Sequence, residues 1–181
     1  MTSISRSLPL RKPGRGSAAL FLHALLLVSS LVRAQPASYL NSTVIDLNGN
    51  SRKLGEFVQD RPVFVTFWAL WCVPCLNELK ALKGVVAAQK GEQFTILAVN
   101  QDSPRSLAKV KSYVSSQEFP FPVVLDPNAQ LFQMFNGQVL PLGVILDREG
   151  KVVKTRTGYI PGDEQQIEKE LTSLLQREEK K

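Results

Sequence analysis

The two cysteines of this 181-residue sequence, Cys72 and Cys75, are separated by only two residues in the segment WCVPC. A disulfide between them would close a loop of about four residues, which is too short to add much loop-closure entropy to stability. Secreted proteins that use disulfides for stability contain several pairs that are distant in sequence. The pair is therefore predicted to carry out thiol and disulfide chemistry rather than to stabilise the fold.

The residues around the pair predict a helix N-terminus. An apolar run over residues 62–68 is typical of a buried strand, and leucines and valines recur at helical spacing after Cys75. Cys72 would lie where unpaired amides and the helix dipole favour a thiolate, with a pKa below the ~8.5 of a free thiol. Cys75, one turn along, could then attack the mixed disulfide formed by Cys72. Pro74 falls in the first turn, where its missing N–H costs least.

Other uses of a cysteine pair lack the residues that they require. Structural zinc usually takes four protein ligands, whereas this sequence has no further cysteine and a single histidine, His23, near its N-terminus. A mononuclear zinc or copper site is therefore disfavoured, and no metal or cofactor is expected. The same shortage argues against a Cys–His hydrolase. A peroxidase is also disfavoured, because the residues around Cys72 include no evident second acid–base group. A non-catalytic binding module with incidental cysteines remains the alternative from a different class.

The rest of the chain predicts an α/β domain with a central mixed sheet, helices on both faces and an N-terminal β-hairpin. Residues 43–47 alternate as a strand does, and residues 48–50 form a turn that returns the chain through residues 53–54. Residues 147–150 are the turn of a second hairpin. Further strands are predicted over residues 94–99, 121–125, 144–146 and 152–155. Helices are predicted over residues 126–135 and over residues 103–114 with Ser103 as N-cap, and residues 161–163 are predicted to cap a terminal helix that continues through Leu174.

The N-terminal 34 residues predict a secretory signal peptide. They carry five basic and no acidic residues, an apolar run over residues 18–32, and the sequence Val-Arg-Ala before Gln35. The run is shorter than the about 20 residues that span a membrane, so cleavage after Ala34 is favoured over the alternative of an uncleaved N-terminal anchor. The protein is therefore predicted to be periplasmic or otherwise extracytoplasmic.

Removal of the leader would change the charge of the chain. The whole sequence has 22 basic and 16 acidic residues and a net charge of +6, and the leader holds five of the basic ones. The mature domain, residues 35–181, would therefore be near +1. The basic balance belongs to the leader, so no nucleic-acid partner is expected.

Three segments of the sequence resemble a known family. FWALWCVPC, over residues 67–75, resembles the active-site segment of thioredoxin-like proteins. PVVLDPNAQLFQMFNG and VLPLGVILDREGKVV are similar to the exported TlpA/ResA-type branch, which is related to the AhpC/TSA group, and the similarity covers residues 40–175. The resemblance implies a thioredoxin-like fold and a thiol–disulfide oxidoreductase that acts on protein thiols and disulfides.

The resemblance also implies a direction of electron flow. It favours a reductant that serves cytochrome c maturation or metal-site assembly and receives electrons from a membrane donor. A disulfide oxidase or isomerase is the alternative, because the same two cysteines serve either direction and only the reduction potential decides between them.

A substrate groove is the next feature that the resemblance implies. In this family a cis-proline faces the redox pair, and Leu140-Pro141 matches its position. The residues alone would equally allow Pro141 to be an ordinary proline at the start of a strand. Trp71, beside the first cysteine, is expected to cover the site and to offer apolar surface to partners.

The proton acceptor for Cys75 differs from that of thioredoxin itself. Thr66 and Ala98 occupy the positions where thioredoxin has a buried aspartate and its lysine partner. Glu78, three residues after Cys75 and on the same helical face, is a candidate general base, with water as its rival. The alternative interpretation of Glu78 is an exposed helix glutamate.

Overall fold

The structure, a computed structural model, describes residues 38–59, 61–89 and 93–178, so the predicted signal peptide and His23 lie outside the described residues. None of the helices within these ranges has the length and apolar character needed to cross a membrane. Within the described residues, 3₁₀ helices cover Ser38–Asn41, Leu54–Phe57 and Pro104–Ser106. The strands are β1 (Thr43–Asp46), β2 (Ser51–Lys53), β3 (Val63–Trp68), β4 (Thr95–Asn100), β5 (Val123–Leu125), β6 (Leu142–Leu146) and β7 (Val152–Thr157), and the α-helices are α1 (Val73–Ala88), α2 (Leu107–Gln117), α3 (Gln130–Met134) and α4 (Asp163–Glu178).

The strands form one seven-stranded sheet in the order β2-β1-β5-β4-β3-β6-β7. The neighbouring strands β3, β4 and β5 are parallel, whereas β1, β2, β6 and β7 pair in antiparallel fashion. The predicted mixed sheet and N-terminal hairpin are therefore confirmed. Because β3 lies inside the sheet and runs parallel to β4, the loops that follow these two strands emerge at the same edge.

Strand β3 has an apolar core on each face, and all six of its side chains are buried. Phe64 and Trp68 pack on one face with residues of α1, α2 and α4. Val65 and Phe67 pack on the other face, where α3 contributes Leu131. The prediction of a central strand buried on both faces is confirmed, and this strand provides a rigid base for the cysteines that follow it.

Two predicted helix starts differ from those observed. The helix expected from Asp126 begins only at Gln130, because a turn closed by the Ala129 N–H and the Asp126 carbonyl (2.9 Å) comes first. The buried Asp126 carboxylate instead accepts the Phe132 N–H at 3.0 Å. Ser103 precedes a 3₁₀ turn in which its carbonyl accepts the Ser106 N–H at 2.8 Å, and its side chain makes no capping hydrogen bond. Both differences concern helix ends and leave the topology unchanged.

Candidate active site

The segment between β3 and α1 places Cys72 at the N-cap of the helix. Its backbone is extended, and its Sγ atom accepts a hydrogen bond from the Cys75 backbone N–H at 3.3 Å. Pro74 is the second residue of the helix, as predicted for the first turn. The Cys72 sulfur therefore faces the unpaired amides and the positive end of the helix dipole, which stabilise negative charge on it.

The two cysteines are joined by a disulfide with an S–S distance of 2.00 Å. Their accessibility differs: Cys72 keeps 5% of its surface exposed, whereas Cys75 is fully buried against the core around α1 and α4. The small exposure that the pair retains therefore belongs to the Cys72 residue. This difference favours Cys72 as the sulfur that exchanges with a partner and Cys75 as the one that resolves.

The loop before Cys72 is fixed by the end of β4, a feature that the sequence analysis missed. The Asp102 carboxylate accepts the Leu70 N–H at 2.8 Å and the Asn100 side-chain amide at 2.7 Å. The Gln101 N–H donates to the Trp68 carbonyl at 2.8 Å. Asn100 and Asp102 are both buried. Polar residues directly after a buried strand were the available signal, because parallel strands bring their carboxyl ends to one edge.

The Leu140–Pro141 peptide bond is cis, as the resemblance implies, and Pro141 is buried. The register that pairs Phe67 of β3 with Leu142 of β6 places this bond at the sheet edge where β3 ends. The Pro141 carbonyl accepts the Gly158 N–H at 2.9 Å, which ties the loop after β7 to the same place. The two proline-containing segments, WCVPC and Leu140-Pro141, therefore share one edge of the sheet.

Exposed apolar side chains lie in the segments at this edge. Trp71, beside the first cysteine, is 71% exposed, whereas Trp68 is buried in the core. Val73, Val139 and Ile160 are also exposed. Trp71 is thus a surface residue rather than a packing residue, and its role towards partners stays a prediction.

Glu78 is buried, so its interpretation as an exposed helix glutamate is wrong. Only 1% of its surface is exposed, and the Thr66 hydroxyl donates a hydrogen bond to its carboxylate at 2.5 Å. Burial raises the pKa of Glu78 to about 7, against smaller lowering effects of the Thr66 hydrogen bond and the Arg156 charge. Thr66, at the strand position where thioredoxin has its buried aspartate, thus carries no carboxyl group itself. It binds the carboxyl group of Glu78, which comes from the helix one turn beyond Cys75.

The raised pKa of Glu78 predicts a stability that depends on pH. The folded carboxyl, with its pKa of about 7, binds protons more tightly than an unfolded one, whose pKa is near 4.5. The free energy of unfolding of the oxidised protein should therefore fall as pH rises from about 4.5 through about 7, by at most about 3 kcal/mol, and should level off on this account about one unit above pH 7. Urea unfolding across this range measures it. Glu78→Gln should remove that decrease, and an equal decrease in the variant would contradict the assignment.

Fold and site together define a class of protein: a thioredoxin fold with a disulfide at the N-terminus of the helix that follows the central strand. The Redoxin family model matches residues 34–171, and the chain belongs to the Redoxin family.

The chain also shares its architecture with solved structures. A candidate thiol:disulfide interchange protein DsbE from Chlorobium tepidum is 25% identical with a TM-score of 0.68, covering 81% of this chain and 99% of that one. A thioredoxin-like protein from Porphyromonas gingivalis is 28% identical with a TM-score of 0.66, covering 77% and 93%.

Curated relatives agree on the type of reaction. The thiol-disulfide oxidoreductase ResA of Halalkalibacterium halodurans is 29% identical over 149 residues, which is 82% of this chain and 81% of the relative. ResA of Geobacillus kaustophilus is 30% identical over 129 residues, which is 71% of each. The protein is an oxidoreductase of the thiol–disulfide class.

Proposed function

We propose that the protein reduces disulfides in exported protein substrates through Cys72 and Cys75. The observation that carries this proposal is the disulfide at the N-cap of α1, in which Cys72 retains access to solvent and Cys75 has none. This asymmetry supports a defined order of attack by the two sulfurs.

In the first step the Cys72 thiolate of the reduced protein attacks a substrate disulfide. A bond forms between Cys72 and one substrate sulfur, while the other substrate sulfur leaves as a thiolate and takes up a proton. In the second step Cys75 loses its proton and attacks Cys72, which releases the second substrate thiol. Two electrons pass from the cysteine pair to the substrate, and the Cys72–Cys75 disulfide remains.

Glu78 accepts the proton of Cys75 in this proposal. It lies one turn beyond Cys75 on the same face of α1, and both side chains are buried. A carboxyl group with a pKa of about 7 is present in both protonation states near neutral pH. It can therefore accept a proton when Cys75 attacks and return one when the disulfide is reduced again.

The substrate chain binds against the apolar surface formed by Trp71 and Val73, with Leu140-Pro141 facing the redox pair. Exposed Trp71 and Val73 flank Cys72 directly in sequence, and the cis peptide bond lies at the same edge of the sheet. Apolar residues beside the substrate cysteine would be buried in the complex. Partners with apolar side chains next to a disulfide are therefore preferred.

The N-terminal sequence supports a proposed place of action. Residues 1–34 have the pattern of a signal peptide, and we propose an extracytoplasmic or periplasmic protein whose leader is cleaved after Ala34. A membrane donor would supply electrons to the oxidised pair there. The relatives named ResA support a reducing role, for which cytochrome c maturation or metal-site assembly is the proposed setting.

The reduction potential tests the proposed direction. Equilibration with glutathione buffers, followed by alkylation and mass spectrometry, should give a value near the about −270 mV of thioredoxin. A value near −120 mV would contradict a reductant and would favour the disulfide oxidase. The Cys72→Ser/Cys75→Ser double variant is the control for alkylation that does not depend on the pair.

A further inference from the structure

Three residues on adjacent strands form a row across the sheet beneath α1 and α4. Thr66 of β3 is directly opposite Gly143 of β6, and Gly143 is directly opposite Arg156 of β7. Residues that are paired in this way present their side chains on the same face of a sheet. Thr66, the hydrogen-bond donor to Glu78, and Arg156 are therefore on one face, separated only by a glycine.

The glycine leaves room for the arginine stem to lie over the sheet. A Cβ atom at position 143 would lie 2.8 Å from Cγ of Arg156 and 2.7 Å from the Phe64 ring. The Arg156 side chain is only 17% exposed, although most of β7 is exposed. Asp163, the first residue of α4, fixes its guanidinium group with a carboxylate contact of 3.7 Å and a carbonyl hydrogen bond of 3.5 Å.

Charged and titratable groups of β7, of the loop after it and of α4 interact electrostatically with Glu78. Arg156 of β7 is the cation and Asp163 of α4 is an anion, and their charges act on the Glu78 carboxyl in opposite directions. Tyr159, in the loop between them, donates to Glu164 at 2.8 Å and stays protonated because burial and that hydrogen bond raise its pKa to about 12. Arg156 is therefore the cation that can offset the charge of Glu78 when Cys75 gives up its proton.

We infer that Arg156 is a positioning residue that sets the charge state of Glu78, reaching it across the gap that Gly143 leaves in the row. This rests on the proposed role of Glu78 as proton acceptor. The position of thioredoxin's lysine is filled here by Ala98, and the compensating cation comes from the opposite side of β3. Without it, the buried carboxyl would ionise only at higher pH, because burial disfavours the charged form.

Titration of the Glu78 carboxyl carbon by NMR in the oxidised protein tests the inference. Arg156→Gln keeps amide donors for Asp163 but removes the positive charge. The midpoint pH of the Glu78 titration should therefore rise by about one unit. Arg156→Lys restores the charge and should bring the midpoint back to within a few tenths of a unit of the wild type. Lys154→Met is the matched control, because Lys154 lies on the same face of β7 and pairs with Glu170 of α4 instead.

A Glu78 midpoint in Arg156→Gln equal to that of the wild type would overturn the inference. If that variant does not fold, Arg156→Met also replaces the charge with a neutral side chain, one that packs as an apolar group. The same rise of the Glu78 titration midpoint is expected for it. The proposed role of Glu78 as proton acceptor is tested separately by turnover of Glu78→Gln. Full turnover in Glu78→Gln would remove the catalytic role of Glu78, whereas an unmoved midpoint in the arginine variants would remove only the role of Arg156.

Discussion

Replacing Cys72 with serine should reduce the rate of insulin disulfide reduction to that of the reaction without protein. The attacking species is a thiolate, and a serine hydroxyl is not ionised at neutral pH even at a helix N-terminus. Cys75 cannot take over the first attack, because its side chain is fully buried beneath the loop. Turbidity of the released insulin chains measures the loss, and unchanged reduction would discard the catalytic function in favour of a binding module.

Cys75→Ser is the matched control for this experiment, since it makes the same chemical change at the other sulfur. This variant should still attack the substrate through Cys72, but it cannot complete the exchange. A mixed disulfide should therefore accumulate and be visible by non-reducing electrophoresis and mass spectrometry. Trapping with Cys72→Ser instead of Cys75→Ser would reverse the assigned roles of the two sulfurs.

Glu78→Gln should slow the resolution of the mixed disulfide by about 100-fold or more, the size typical of general base catalysis. In the wild type the rate of this step should rise as pH increases through about 7, because the carboxyl must be ionised to accept the proton of Cys75. The variant should lose this rise and keep only the dependence that comes from the thiols. Stopped-flow measurement of a preformed mixed disulfide isolates the step.

Glu118→Gln provides the matched control for Glu78→Gln. Glu118 is an exposed glutamate at the C-terminal end of α2, so removing its charge should leave both the rate and the pH profile unchanged. A Glu78→Gln profile that follows the wild type would mean that water accepts the proton.

The sequence predicts the region around the cysteines well because its signals are local. The apolar run that forms β3 and the helical spacing after Cys75 place Cys72 at a helix start, and the structure has the same arrangement. The ends of other helices were less predictable. After Asp126 the backbone first closes a separate turn, and the buried Asp126 carboxylate accepts the Phe132 N–H, so that α3 begins only at Gln130.

Glu78 shows what helical spacing can and cannot decide. It lies between Cys75 and Leu79 in the buried stripe of α1, and a charged residue in such a stripe is a signal for a buried acid. Whether it stays buried depends on Thr66 and on the elements packed over it. Asp102 follows a buried strand, which is a usable signal for the edge that carries the cysteines. Arg156 acts from β7, far from Glu78 in sequence, and no local pattern places it near that carboxyl group.

The two outermost strands of the sheet are poorly suited to adding a strand from another molecule. Strand β2 has three residues and carries Arg52 and Lys53, while β7 carries Lys154 and is interrupted by a bulge at Val153. Short, charged or bulged edges discourage edge-to-edge pairing and the aggregation that follows from it. Contacts between copies of the chain through the backbone of either outermost strand are thereby disfavoured.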